Sequence, residues 1–144
     1  FTVELVNDDI YEWNVKYFGF DPESDMYVGL MKLKEKNGTD HVMFNLKYPS
    51  NYPFSPPFVR VVYPKIIYSN VQPGGSICME ILGDRHWSSA YTIESLMLQI
   101  TSSIAASEGV VKDKDGKPYT YENAKQQFGA IVQAHQWGNK KPSD

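Results

Sequence analysis

The stretch V-M-F-N-L-K-Y-P-S-N-Y-P-F-S-P-P-F-V-R-V-V-Y, residues 42–63, sets two strands on either side of a segment that can be neither strand nor helix. Val42, Phe44, Leu46 and Tyr48 alternate with Met43, Asn45 and Lys47, the period-two pattern of a strand with one buried face. Four prolines among residues 48–57 remove backbone donors and lock φ, so this part is a stiff, extended connection. Tyr52-Pro53, an aromatic before a proline, is a candidate cis bond set against the general trans preference. Phe58 to Tyr63 resumes as a strand, and Pro64 ends it.

Upstream, Thr2 to Val6 alternates weakly, and Ile10, Trp13, Val15 and Tyr17 fall partly at period two. Tyr27 to Leu33 reads as a further strand, with Val28, Leu30, Met31 and Leu33 turned toward a core. Asn37-Gly38 is a strong hairpin-turn signal. The expectation is an antiparallel meander joined by short turns.

Downstream the period changes. Ile93, Leu96, Met97, Ile100 and Ile104 form one helical stripe, with Thr92 placed to cap it, Glu94 in the first turn and Gly109 as a stop. Residues 112–118, K-D-K-D-G-K-P, read as a solvated loop with too few carboxylates for a calcium hand. A second helix is predicted from about Tyr121 to Gln136, with Tyr121, Ala124, Phe128, Ile131, Val132 and His135 on its apolar stripe. Strands followed by helices argue for the α+β class.

The 144 residues suit one domain with one core, and 42% apolar content is ordinary for a globular protein. A net charge of −3 and a pI near 5.6 argue against a nucleic-acid platform. No apolar run approaches the ~20 residues that span a bilayer. A lone cysteine points to a reduced compartment, cytoplasmic or nuclear. The start at Phe1, with no signal-peptide pattern, reads as a domain of something longer.

That cysteine lies in G-G-S-I-C-M-E-I-L, residues 74–82. Two glycines allow a sharp bend before it, and Ile81 and Leu82 can anchor the loop in a core. Cys78 is read either as a thiolate nucleophile or as a small buried hydrophobe.

The motifs then meet a family. Y-P-S-N-Y-P-F-S-P-P-F-V, residues 48–59, resembles the Y-P-x-x-Y-P-F-x-P-P-x-V signature of ubiquitin-conjugating enzymes. Residues 74–82 resemble their active-site segment, usually N-G-x-I-C-L-x-I-L, and W-S-S-A-Y-T-I, residues 87–93, is similar to their W-S-P-A-x-T-I. The resemblance covers nearly the whole chain. It implies a four-stranded antiparallel sheet with helices on one side, in a single catalytic core over residues 1–144. It also implies that Cys78 carries ubiquitin, received from a ubiquitin-activating enzyme and passed to a protein substrate alone or with a ligase. No cofactor, metal, nucleic acid or membrane is expected.

Three departures stand out. The family's first helix, which docks the activating enzyme, is missing from a chain that starts at the first strand. Ser89 replaces a proline in the ligase-contact loop. The His-Pro-Asn motif upstream of the cysteine is absent, and Tyr63-Pro64-Lys65 takes its place, followed by extra residues. The words D-P-E-S, L-K-E-K-N-G and W-S-S-A-Y-T-I-E-S are closest to the Q-type branch, which also lacks that motif.

The chemistry implied is thiol exchange, then attack by an amine or hydroxyl that creates an oxyanion. Asn70, eight residues before Cys78, and Tyr68 are the rival donors for it; as ordinary residues they are a turn position and a packing aromatic. His135 is read as a core residue or, by resemblance to the Q-type branch, as the base for a hydroxyl acceptor, with Trp137 beside it or simply packed on the domain. Phe54, Ser88, Ser89 and Ala90 resemble ligase-contact positions, with core packing the alternative for Phe54. His41 and His86 read as solvated, and three scattered histidines with one cysteine make no zinc site. Asp113 and Asp115 read as solvated charge, with a gate for acceptors as the alternative. The rival functions are a non-catalytic ubiquitin-binding module, which Cys78 argues against, and a Cys-His hydrolase.

Overall fold

The computed structural model describes residues 1–113 and 115–137; Lys114 of the loop predicted at 112–118, and residues 138–144, lie outside the described residues. The elements run β1 (Thr2–Val6), β2 (Asp9–Tyr17), α1 (Asp25–Asn37), β3 (Val42–Lys47), β4 (Phe58–Tyr63), β5 (Ile66–Ile67), a single 3-10 turn (Glu80–Leu82), α2 (Ile93–Ala106), β6 (Val110–Val111) and α3 (Tyr121–His135). The first four strands form an antiparallel meander in the order β1-β2-β3-β4. Trp13 pairs with Leu46, Val15 with Phe44, Phe44 with Val61, and Leu46 with Val59, so their side chains share one face. Val15, Phe44, Leu46, Val59 and Val61 are buried there together with Leu96, Met97, Ile100 and Ile104 of α2. The α+β architecture expected from the sequence is present.

One element is corrected. Residues 27–33 are not a strand but the middle of α1, which interrupts the meander between β2 and β3. Met26, Leu30 and Leu33 are its buried residues, spaced i, i+4 and i+7, while Val28 is 45% exposed. Ser24 caps the start by accepting from the Tyr27 amide, and Asp25 sits in the first turn. Asn37-Gly38 is the helix stop rather than a hairpin turn: Gly38 is left-handed at φ 84° and its amide returns to the Lys34 carbonyl. Asp113 is also corrected. Its carboxylate is buried, accepts from the Tyr63 hydroxyl at 2.8 Å and lies 3.7 Å from Lys36, tying Asp113 to β4 and α1. Asp115 stays exposed and pairs with Lys65 at 3.4 Å.

Both remaining helices stand where their periodicity put them. Thr92 and Ser95 form a reciprocal capping box at the start of α2. At its other end the left-handed residue is Glu108, at φ 59°, and not Gly109. Gly109 is held small by packing: a Cβ there would lie 3.1 Å from both Ile104 and Ser69. The Tyr52-Pro53 bond is cis, as is Tyr63-Pro64. Among the described residues no helix is long and apolar enough to cross a membrane.

The helical reading of α1 has a direct check. Leu30→Ala should lower unfolding free energy by about 2–5 kcal/mol, because a buried leucine leaves a cavity. Val28→Ala should change it by about 0.5 kcal/mol or less, because its side chain faces solvent. Urea melts of the two variants separate this pattern from a strand, in which both residues would face the core.

Candidate active site

The cysteine segment is a small hairpin fastened to the edge of the sheet. Val71 and Ile77 face each other across it, flanked by bonds from the Cys78 amide to the Asn70 carbonyl and from the Gln72 amide to the Ser76 carbonyl, both 2.8 Å. The turn between them is closed by the Gly75 amide on the Gln72 carbonyl. Gly75 has φ 97°, and a Cβ there would lie 2.6 Å from the Tyr119 ring. Both the backbone angle and the space thus require glycine. Three contacts hold the hairpin. The Val61 amide donates to the Gly75 carbonyl at 2.9 Å, Arg60 and Ser76 form a bridge, and the Gly74 amide reaches Gln127 Oε1 of α3 at 2.8 Å.

This pairing decides which side chains share a face. Val71 and Ile77 point into the core, where they are 6% and 0% exposed. Asn70 and Cys78, one step outward and directly opposite one another, occupy the other face, and both are half-buried. The structure therefore sets Tyr68-Ser69-Asn70 on the strand beside the cysteine, and not Tyr63-Pro64-Lys65, which ends β4. Burial pushes the Cys78 thiol above its ordinary pKa. The Asn70 carboxamide donates to Ser103 Oγ of α2 at 2.7 Å, while its Oδ1 is buried without a partner. A buried unpaired acceptor costs ~1–3 kcal/mol. Tyr68 is left-handed at φ 61° and 76% exposed, so nothing around its hydroxyl fixes it in place.

All three histidines are described, and none hydrogen-bonds Cys78. His41 sits 3.1 Å from Asp40 and packs on the Phe18 ring, so it is half-buried rather than solvated. His86 is exposed, 4.0 Å from Glu80. His135 is exposed as well, which removes the reading of it as a core residue. It ends α3 and stacks on Trp137, ring centroids 4.6 Å apart and planes 18° apart. The turn after α3 docks on the chain just past the cysteine: Arg85 donates its amide to the Trp137 carbonyl at 3.0 Å, and a Cβ on Gly83 would lie 2.6 Å from Trp137. Among the described residues no group of three or more His, Cys, Asp or Glu could hold a metal ion.

Comparison with known proteins settles the family. The model of the family described as ubiquitin-conjugating enzyme matches residues 1–136. The chain belongs to the ubiquitin-conjugating enzyme family. It is 42% identical over 137 residues to ubiquitin-conjugating enzyme E2 Q1 of human and of mouse, matching 94% of this chain and 32% of theirs. It is 40% identical over 138 residues to mouse ubiquitin-conjugating enzyme E2 Q-like protein 1, matching 94% of this chain and 83% of that one. The chain thus spans about a third of the length of the E2 Q1 relatives. Among solved structures, the E2 domain of a Toxoplasma gondii ubiquitin conjugating enzyme superposes with a TM-score of 0.57 at 26% identity, covering 94% of this chain and 83% of that one. These matches support the Q-type branch.

Within this ubiquitin-conjugating fold, Trp87 joins two of the family's signature motifs. It is 4% exposed and donates its indole N–H to the Pro53 carbonyl at 2.8 Å. Edge-to-face rings continue the join, Trp13 on Tyr48, Tyr48 on Tyr52 and Trp87 on Tyr91. The proline-rich connection and the 87–91 loop are thereby held side by side. Phe54 is 69% exposed on the first, so it is not a core residue; Ser89 and Ala90 are exposed on the second, with Ser88 half-buried. Sequence reasoning missed Ser103, Gln127 and Gly83. A serine or glutamine on a helix face and a glycine in a loop carry no signal until the fold shows what lies opposite.

Gly75→Ala tests the hairpin. A residue with a Cβ at φ 97° costs about 1–3 kcal/mol in backbone strain alone, before the Tyr119 ring is displaced. The expected outcome is a lowered urea midpoint with the slope unchanged.

Proposed function

We propose that this chain carries ubiquitin as a thioester on Cys78 and passes it to an amine or a hydroxyl of a protein substrate. The observation that carries this reading is the hairpin register: a half-exposed thiol on a loop pinned by three contacts, with Asn70 directly across from it. In charging, the ubiquitin carboxyl carbon leaves the thiol of the activating enzyme as a bond to Cys78 Sγ forms; the Cys78 proton goes to the departing thiolate. In discharge the acceptor attacks that carbon, an oxyanion develops, the bond from that carbon to Cys78 Sγ breaks, and the acceptor's proton goes to the released Cys78 thiolate.

The Asn70 carboxamide is the better donor for the oxyanion, since a donor helps most when it is held in advance. Asn70 is held by its backbone pairing and by Ser103, whereas the exposed Tyr68 ring is held by nothing around its hydroxyl. A Cys-His hydrolase is disfavoured, because that chemistry needs a thiol pKa lowered by an adjacent imidazolium, and burial raises this one. A binding-only module is disfavoured by Cys78 itself. Phe54, Ser88, Ser89 and Ala90 form the surface offered to a ligase, and the single free thiol suits the cytoplasm or nucleus.

The charging step should follow the thiol. With its pKa raised, Cys78 is protonated at neutral pH, so the thiolate fraction and the charging rate should climb about tenfold per pH unit through that range. Adduct formation by the full-length protein with activating enzyme, ATP and ubiquitin measures this. Cys78→Ala should form no reductant-sensitive adduct; an adduct in that variant refutes the reading.

Acceptor choice is assigned to His135. A neutral amine needs positioning, but a hydroxyl gains positive charge as it attacks and benefits from a base during the step. His135 is exposed, stacked on Trp137, and its turn is docked beside Gly83, five residues after Cys78. His135→Ala should slow discharge to serine by about 10²-fold or more while discharge to lysine is nearly unchanged. Its melting temperature should hold, since an exposed side chain contributes little. Equal losses on both acceptors would assign the residue a structural part only.

A further inference from the structure

We infer that Ser103, on α2, is a positioning residue for the Asn70 carboxamide, and through it for the oxyanion step; this rests on the reading of Asn70 as the donor. The Asn70 backbone is set by the hairpin, but its side chain is set from outside it. Ser103 Oγ lies 2.7 Å from Asn70 Nδ2, and among the described residues this is the only hydrogen bond that the Ser103 hydroxyl makes. The strand bearing Asn70 is pressed against the same end of α2. The place where a Gly109 Cβ would sit is bounded by Ile104 of α2 and by Ser69, each 3.1 Å away. Ser69, in turn, takes the Val71 amide on its hydroxyl at 3.1 Å. The chain on either side of Asn70 is thus fixed, and Ser103 meets the one part that still rotates.

The chemistry of the pair makes this more than a packing contact. A carboxamide has a donor end and an acceptor end of nearly equal shape. With Nδ2 on Ser103, Oδ1 is the end left buried without a partner. Turned half a revolution about its Cβ–Cγ bond, the group gives Oδ1 to the serine hydroxyl. Its two N–H groups then stand where Oδ1 had no partner, as unspent donors on a residue that shares its face of the hairpin with Cys78. A hydroxyl donates or accepts, so Ser103 holds both orientations. The orientation with free N–H groups costs a buried donor in the resting protein and is repaid when negative charge develops on the thioester oxygen.

Five variants of the full-length protein, charged with ubiquitin and chased with free lysine, test this. Ser103→Ala should slow discharge roughly tenfold and Asn70→Ala about 10²-fold, with charging rates and melting temperatures of both near the parent. Ser103→Thr, which keeps the hydroxyl, should discharge at close to the parent rate, and Ser103→Val, of the same shape without it, should behave as alanine. In the Asn70→Ala background, Ser103→Ala should have no further effect, because its action passes through the missing carboxamide. Slow Asn70→Ala with parent-like Ser103→Ala, or with losses that multiply in the double variant, overturns the role of Ser103 and leaves Asn70 as donor. Parent-like discharge by Asn70→Ala overturns the donor reading and the Ser103 inference together.

Discussion

The hydrogen bond from the Val61 amide to the Gly75 carbonyl carries the cysteine hairpin on the edge of β4. An edge strand presents unpaired backbone groups, and here part of that edge is used to mount a loop rather than another strand. The mount works only because Gly75 can take φ 97° with the Tyr119 ring against it. Tyr119 is itself fastened, its hydroxyl accepting from the Ile66 amide and donating to the Ile66 carbonyl. The cysteine directly follows the buried Ile77, on a hairpin tied to both the sheet and α3. A loop held in this way keeps the thiol half-exposed at a fixed place on the surface.

Helix α2 serves the sheet and the site at once. Leu96, Met97, Ile100 and Ile104 bury one stripe over the core face of the sheet. Ser103, off that stripe and half-buried, reaches the Asn70 side chain. Rigid elements place functional groups better than loops do, and here the hydroxyl borrows its precision from the four apolar neighbours. At the other end of the molecule, Trp87 does similar work between two loops. One indole N–H to the Pro53 carbonyl replaces the regular backbone pairing that proline-rich chain cannot make.

The parts legible in the sequence were those written in local periodicity or in a distinctive motif. The α2 and α3 stripes, the β3 alternation and the proline-rich connection fall where their residues say. Residues 27–33 misled because Val28 and Leu30 alternate, yet the longer pattern of Met26, Leu30 and Leu33, bracketed by Ser24 and Gly38, is helical. The caps were the better evidence, since a serine before and a glycine after thirteen residues satisfy the ends of a helix and not of a strand. His135 misled in the opposite way. It lies in register with the apolar stripe, but α3 ends there and the core does not extend so far, so the ring is left in water.

By itself the sequence determined the class of the fold, the family and the single thiol available, because these depend on residue types and short spacings. Only the tertiary structure decided what stands next to that thiol. The position of Asn70 across from Cys78 depends on the register of a hairpin, and one residue of slip would send the asparagine to the core face and Val71 to the open one. The Ser103 contact spans 33 residues, and the contact of Trp137 with Gly83 spans 54. Nothing local encodes either, since each depends on where α2 and α3 come to rest once the sheet has a core to offer them.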